Sequence, residues 1–221
     1  MKRISQVLLS SVFIALWNVP VFAQSLREVF QRFPLKRPEV SMTPSRTNKV
    51  VYDATNGYLS IKTTTNPDTQ SSEQTVFVLF LADDGTKYYA HQEINDPGGG
   101  DGCKRSTLKM YLLDAGEWRD VTSQLLPSVR ISEFYGQKST PNLIDVKGII
   151  SYTPDDNQRG IGLGIDYTLP QIGTTIQASL AYRCENDVTP EYLKLYKECK
   201  FKMIELLWNK QNGWFIMGKK R

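Results

Sequence analysis

The hydrophobic pattern between Gly57 and Val121 switches on and off in strand-length pieces. Asn56-Gly57 is turn chemistry, and Tyr58-Leu59-Ser60-Ile61-Lys62 follows with partial alternation. Val76-Phe77-Val78-Leu79-Phe80-Leu81 is continuously apolar, and its β-branched and aromatic content predicts a strand covered on both faces. Asp83-Asp84-Gly85-Thr86 predicts a tight turn, and Lys87 to Ile94 the return strand. Leu108, Met110 and Leu112 then share one face, because alternate side chains of a strand point the same way. Asp114-Ala115-Gly116 turns the chain into Glu117-Trp118-Arg119-Asp120-Val121. The stretch reads as one antiparallel unit of short strands, with Thr63 to Gln74 as a polar surface loop.

A second unit is expected over 148–221. Ile161, Leu163, Ile165 and Tyr167 alternate with small or polar residues, as do Ile176, Ala178, Leu180 and Tyr182. Gln211-Asn212-Gly213 predicts a hairpin into Trp214-Phe215-Ile216-Met217. Gly148 to Tyr152 repeats the Gly-apolar-apolar-Ser-apolar order of Gly57 to Ile61 at an offset of 91. Gly173-Thr174, Phe201-Lys202-Met203 and Gly213 repeat Gly85-Thr86, Leu108-Lys109-Met110 and Gly116 at offsets of 88, 93 and 97. Near-constant offsets in a fixed order point to duplication, against the competing explanation that β-meanders share turn residues by chance.

Thr189-Pro190-Glu191 is a helix start. Beyond it the pattern fits either one helix to about Lys210 or a short helix to Glu198 followed by a strand from Phe201. The repeat and the hairpin favour the second. The connector 122–147 is too apolar for a free linker; it is expected to pack across a sheet, with a helical turn after Thr122. The fold class is therefore mainly β: two antiparallel four-stranded units packed as a sandwich or a blade-like pair, with a short N-terminal helix and a short helix near 190–199. Two blades cannot close a propeller, so face-to-face packing is the simpler way to bury both sheets.

The N-terminus changes the setting. Lys2 and Arg3 precede an apolar run from Val7 to Trp17, then Pro20 and Val21-Phe22-Ala23. That order predicts a signal peptide cut after Ala23. The run is too short to span a bilayer, which takes roughly 20 residues. Cleavage would take 23 residues from 221 and leave 198, with no stable membrane anchor and a periplasmic or extracellular location. Ser25-Leu26-Arg27-Glu28 has capping-box spacing. A helix stopped by Pro34 should put Leu26, Val29, Phe30 and Phe33 on one face, to be docked on the β body. Residues 35–49, with Pro38 and Pro44, read as an extended linker, so the domain plan is 1–23, 24–49, 50–121, 122–147 and 148–221.

Charge and cysteines add less. The mature part holds 25 basic and 23 acidic residues, a net of +2, which gives no argument for nucleic acid. Three cysteines in an exported chain point to one disulfide and one remaining thiol. Cys184 and Cys199 bracket the expected helix and are the expected pair, leaving Cys103 as a free thiol or an intermolecular link.

The segment from His91 to Cys103 gathers the single histidine, Asp96, Asp101, a glycine run and a thiol. It could serve as a Cys–His pair, as the start of a calcium loop, or simply as a long hairpin loop. His91, Asp96, Asp101 and the neighbouring Tyr89 are the candidate binding residues. Strand aromatics, among them Tyr58, Tyr88, Trp118 and Trp214, are first core and second a binding face. No P-loop, dinucleotide glycine pattern, Gly-x-Ser-x-Gly or zinc His pair is present, and no cofactor, metal or catalytic residue is expected. The expectation is a non-enzymatic binding or protein-interaction module of a bacterial-type envelope, with a glycan, an envelope component or a protein as partner. The rival is a secreted hydrolase using carboxylates or Cys103 with His91.

Overall fold

The computed structural model describes residues 22–34, 43–98, 104–136, 163–182 and 197–221. The first described element is helix α1 (Phe22–Gln31). Six strands follow: β1 (Asn48–Asp53), β2 (Tyr58–Asn66), β3 (Ser71–Leu81), β4 (Lys87–Asp96), β5 (Arg105–Asp114) and β6 (Glu117–Asp120). They form one antiparallel meander in the order β1-β2-β3-β4-β5-β6. The turn α2 (Thr122–Leu125) and a 3₁₀ turn (Ile131–Phe134) lead away from it. The second sheet comprises β7 (Leu163–Thr168), β8 (Thr175–Tyr182), β9 (Met203–Asn209) and β10 (Trp214–Lys220), in the order β10-β9-β8-β7.

Two antiparallel sheets packed as a sandwich are as expected, but the first has six strands, not four. Thr63 to Gln74 is not a surface loop. β2 continues to Asn66, and β3 begins at Ser71 and pairs with it as far as the Asn66–Ser71 contact. The paired strand ends carry no apolar side chain: Thr63, Thr64 and Asn66 pair with Glu73, Ser72 and Ser71, and a hydrophobic pattern cannot see them. Thr is nonetheless β-branched and suits an extended backbone. β1 begins inside the stretch read as linker and pairs with β2 along its whole length. The helix also begins earlier than the capping box implied, and Ser25 lies inside it.

The fork after residue 196 resolves as expected: Lys197 and Glu198 are helical and Met203–Asn209 is a strand. α2 forms after Thr122, and the connector packs into the core through Leu125, Phe134 and Tyr135. Gly85 turns β3 into β4, the third hairpin of the large meander, whereas Gly173 turns β7 into β8, so these matched turns do not hold the same place in the two sheets; Gly116 turns β5 into β6 and Gly213 turns β9 into β10. The matched opening segment Gly148–Tyr152 lies outside the described residues.

Alternation sorts the six-stranded sheet into two faces. Val76, Val78 and Phe80 of β3, Ala90 of β4 and Met110 of β5 face the small sheet, where they meet Ile176, Ala178, Ile204, Leu206, Trp208 and Phe215. Polar ties cross this interface: the Trp208 indole donates to the Leu81 carbonyl at 2.9 Å, and the Gln92 amide to the Tyr167 carbonyl at 2.5 Å. On the other face, Leu59 and Ile61, Phe77, Tyr89 and Tyr111 pack against Leu26, Phe30 and Phe33. The order is thus helix, large sheet, small sheet. It explains the unbroken apolar run of β3, which is covered on both sides.

Candidate functional site

β4 runs from Lys87 to Asp96, two residues beyond the expected strand end at Ile94, so His91 sits inside the return strand, as expected, and not at the start of the glycine loop. It pairs with Phe77 on one side and Lys109 on the other. Its parity is that of Tyr89, so both side chains project toward α1. Phe33, on the tightened last turn after α1, closes over His91: its amide donates to the Phe30 carbonyl at 3.1 Å. The Phe33 ring centre lies 5.2 Å from Phe77, 4.7 Å from His91, 5.0 Å from Tyr111 and 4.9 Å from Trp118. Four aromatic rings from four strands box one ring from the N-terminal segment.

His91 retains 4% exposure and Tyr111 5%. Burial holds the imidazole near pKa 4, well below the usual 6.5, and the Lys109 ammonium adds to the effect. The ring is therefore neutral at pH 7. Its Nε2 lies 3.9 Å from the Glu93 carboxylate, too far for a hydrogen bond. Burial also pushes the Tyr111 phenol up to about 12, with help from the Asp120 and Glu93 charges. Among the described residues neither His91 Nε2 nor the Tyr111 hydroxyl has a partner. A buried polar atom left unpaired costs about 1–3 kcal/mol, so this layer is stabilised by its aromatic packing and not by its polar atoms. Tyr89 is 3% exposed, stacked on Phe77 at 5.6 Å and edge-on to Trp118 at 5.2 Å. Burial raises its phenol as well.

Asp96 lies apart from this pair. It ends β4 five residues beyond His91, roughly 17 Å along the strand and on the opposite face. Its carboxylate accepts the Gly98 N–H at 3.1 Å, and the Ser71 hydroxyl donates to the Pro97 carbonyl at 2.6 Å. The loop thus docks on the β2–β3 turn. Gly98 has φ +67°, and a Cβ there would fall 1.9 Å from the Thr69 carbonyl oxygen. Here the glycine serves a backbone-to-backbone approach. Asp101 and Cys103 lie outside the described residues, as does Cys184. Cys199 is buried, and no disulfide is seen among the described residues. Among those residues no group of three His, Cys, Asp or Glu could hold a metal ion, and no helix is long and apolar enough to cross a membrane.

The outer face of the small sheet offers a different kind of surface. Ile216 of β10 stands opposite Leu207 of β9, and Trp214 is two residues along the same face. These three are 44%, 36% and 45% exposed. Leu207 leans over Gly218, where a Cβ would fall 2.8 Å from its Cγ. At one end of this sheet, Arg221 pairs with Glu205 at 2.7 Å and Lys220 with Glu133. Trp214 stood out in the sequence, but Leu207 and Ile216 did not. Trp214 to Met217 is apolar at every position, which in the sequence does not tell a strand covered on both faces from one with an exposed face.

No family model and no curated protein matches this sequence. A solved structure of a domain of an uncharacterized protein from Porphyromonas gingivalis W83 is similar at 12% identity and a TM-score of 0.48, covering 80% of this chain and 82% of that one. At that score the likeness carries no argument about function.

Proposed function

We propose that the chain is an exported, non-enzymatic protein-interaction module that binds through the outer face of its four-stranded sheet. The observation that carries this reading is the cross-strand cluster of Leu207, Trp214 and Ile216, apolar side chains left in solvent on one sheet face while α1 covers the outer face of the other. Contiguous apolar surface on a folded domain marks interaction sites, and tryptophan is enriched where such sites carry most of the binding energy. Ile and Leu beside the Trp favour a protein over a glycan, whose recognition needs polar groups around the stacking ring. Export rests on the N-terminal pattern. The buried anchors Leu26, Phe30 and Phe33 all follow the expected cut at Ala23, so cleavage leaves them in place. A hydrolase acting through His91 is less well supported, because Phe33 seals the imidazole from a substrate.

A photo-reactive benzoylphenylalanine in place of Ile216, expressed in the native host, tests the reading. A protein adduct should form at 216 and not at Ile172, which is 77% exposed in the β7–β8 turn and serves as the control. Adducts at 172 only, or a 216 adduct released by glycan digestion, would count against it.

A further inference from the structure

The groove beneath α1 carries an inference independent of the small-sheet surface. Leu26, Phe30 and Phe33 anchor the N-terminal segment at i, i+4 and i+7, the spacing with which an amphipathic helix lies in an apolar groove. The first two anchors join the apolar cluster with Leu59, Ile61 and Phe77, and Phe30 packs edge-on to Phe77 at 5.4 Å. The third is different. Phe33 is held by Phe77, His91, Tyr111 and Trp118, and two of those walls carry the unpartnered buried atoms, His91 Nε2 and the Tyr111 hydroxyl. A phenylalanine fills this box by shape and answers neither polar atom. Buried polar atoms are nearly always paired in folded proteins, so two beside one ring call for an explanation.

We infer that the groove is a binding site for an amphipathic helix of a partner protein whose third anchor is a tyrosine, and that α1 is its tethered stand-in. A phenolic hydroxyl is both donor and acceptor. It could donate to the neutral His91 Nε2 and accept from the Tyr111 hydroxyl, satisfying both atoms with one group. The resident segment keeps the groove dry, and a partner that completes the hydrogen bonds displaces it. The tether gives α1 a high effective concentration, so displacement by a partner requires the better third anchor.

The test uses the processed chain with Phe30→Ala, which weakens the resident helix, and two labelled peptides spanning residues 24–34, one native and one with Phe33→Tyr. Fluorescence anisotropy should show the tyrosine peptide binding at least tenfold tighter. That preference should vanish in a chain that also carries His91→Leu and Tyr111→Phe, while the phenylalanine peptide still binds. Equal affinity of the two peptides overturns the proposal. Should Phe30→Ala fail to fold, Phe33→Tyr in the otherwise unaltered chain gives a second reading. Its thermal midpoint should rise by several degrees if the box accepts a hydroxyl, and a fall overturns the proposal. A concentration-dependent dimer that exchanges α1 between copies would assign the groove to a second copy of this chain and also overturn it. Ile216→Asp should leave all these results unchanged, which separates this site from the small-sheet surface.

Discussion

Acidification should weaken this fold through one side chain. The unfolded chain protonates His91 near pH 6.5, whereas the folded chain resists until about pH 4. Between those values the unfolded state binds more protons, so stability falls as the pH is lowered and is fully retained above 6.5. At 1.36 kcal/mol per pKa unit, the loss across the window is about 3 kcal/mol, a sizeable share of a typical domain's stability. Glu93 faces the imidazole at 3.9 Å and would soften the loss by pairing with the cation; Lys109 across the ladder works against the cation. The chain has a single histidine, so its imidazole proton resonances in an NMR titration need no assignment by mutation. They should move with a midpoint far below 6.5. Urea unfolding at pH 7.5, 5.5 and 4.5 should show the loss in the native chain and a smaller pH slope in His91→Leu. A midpoint near 6.5, or equal slopes in the two chains, would refute the burial of His91 beneath Phe33.

Two further perturbations probe what holds that layer and, at the far end of β4, the Gly98 loop. Phe30→Ala removes the fully buried centre of the α1 contact and should cost about 3–5 kcal/mol by denaturant unfolding. In the fraction that stays folded, the His91 midpoint should climb back toward 6.5 as the helix loosens. Gly98→Ala forces a side chain into the Thr69 carbonyl at positive φ and should cost about 1–3 kcal/mol from backbone strain alone. A thermal midpoint unchanged by that substitution would show that the loop does not rest on the β2–β3 turn.

The sequence pattern reported burial well and topology partly. Val76 to Leu81 announced a strand covered on both faces, and the structure supplies α1 on one side and the small sheet on the other. Leu26, Val29, Phe30 and Phe33 announced a docking helix. Which sheet face receives it depends on contacts remote in sequence, and no local pattern encodes that. Thr63 to Gln74 was misread because a strand end without apolar side chains is as polar as a loop. His91 was grouped with Asp96 because both neighbour the glycine run. The alternation Tyr89, His91, Glu93 already placed it on a strand face, with Asp96 out of phase. The Leu207–Trp214–Ile216 surface needed the register between β9 and β10, which the hairpin turn alone does not disclose.

The N-terminal segment buries Phe77, His91 and Tyr111 on the outer face of the large sheet, whereas Leu207, Trp214 and Ile216 of the small sheet stay exposed. Hydroxyl-radical footprinting of the processed protein, read residue by residue by mass spectrometry, tests both halves at once. Trp214, Ile216 and Leu207 should oxidise readily, while Phe33, His91 and Tyr111 stay protected until α1 is released by Phe30→Ala. Fast oxidation of Phe33 and Tyr111 in the native chain, with Trp214 protected, would contradict the account.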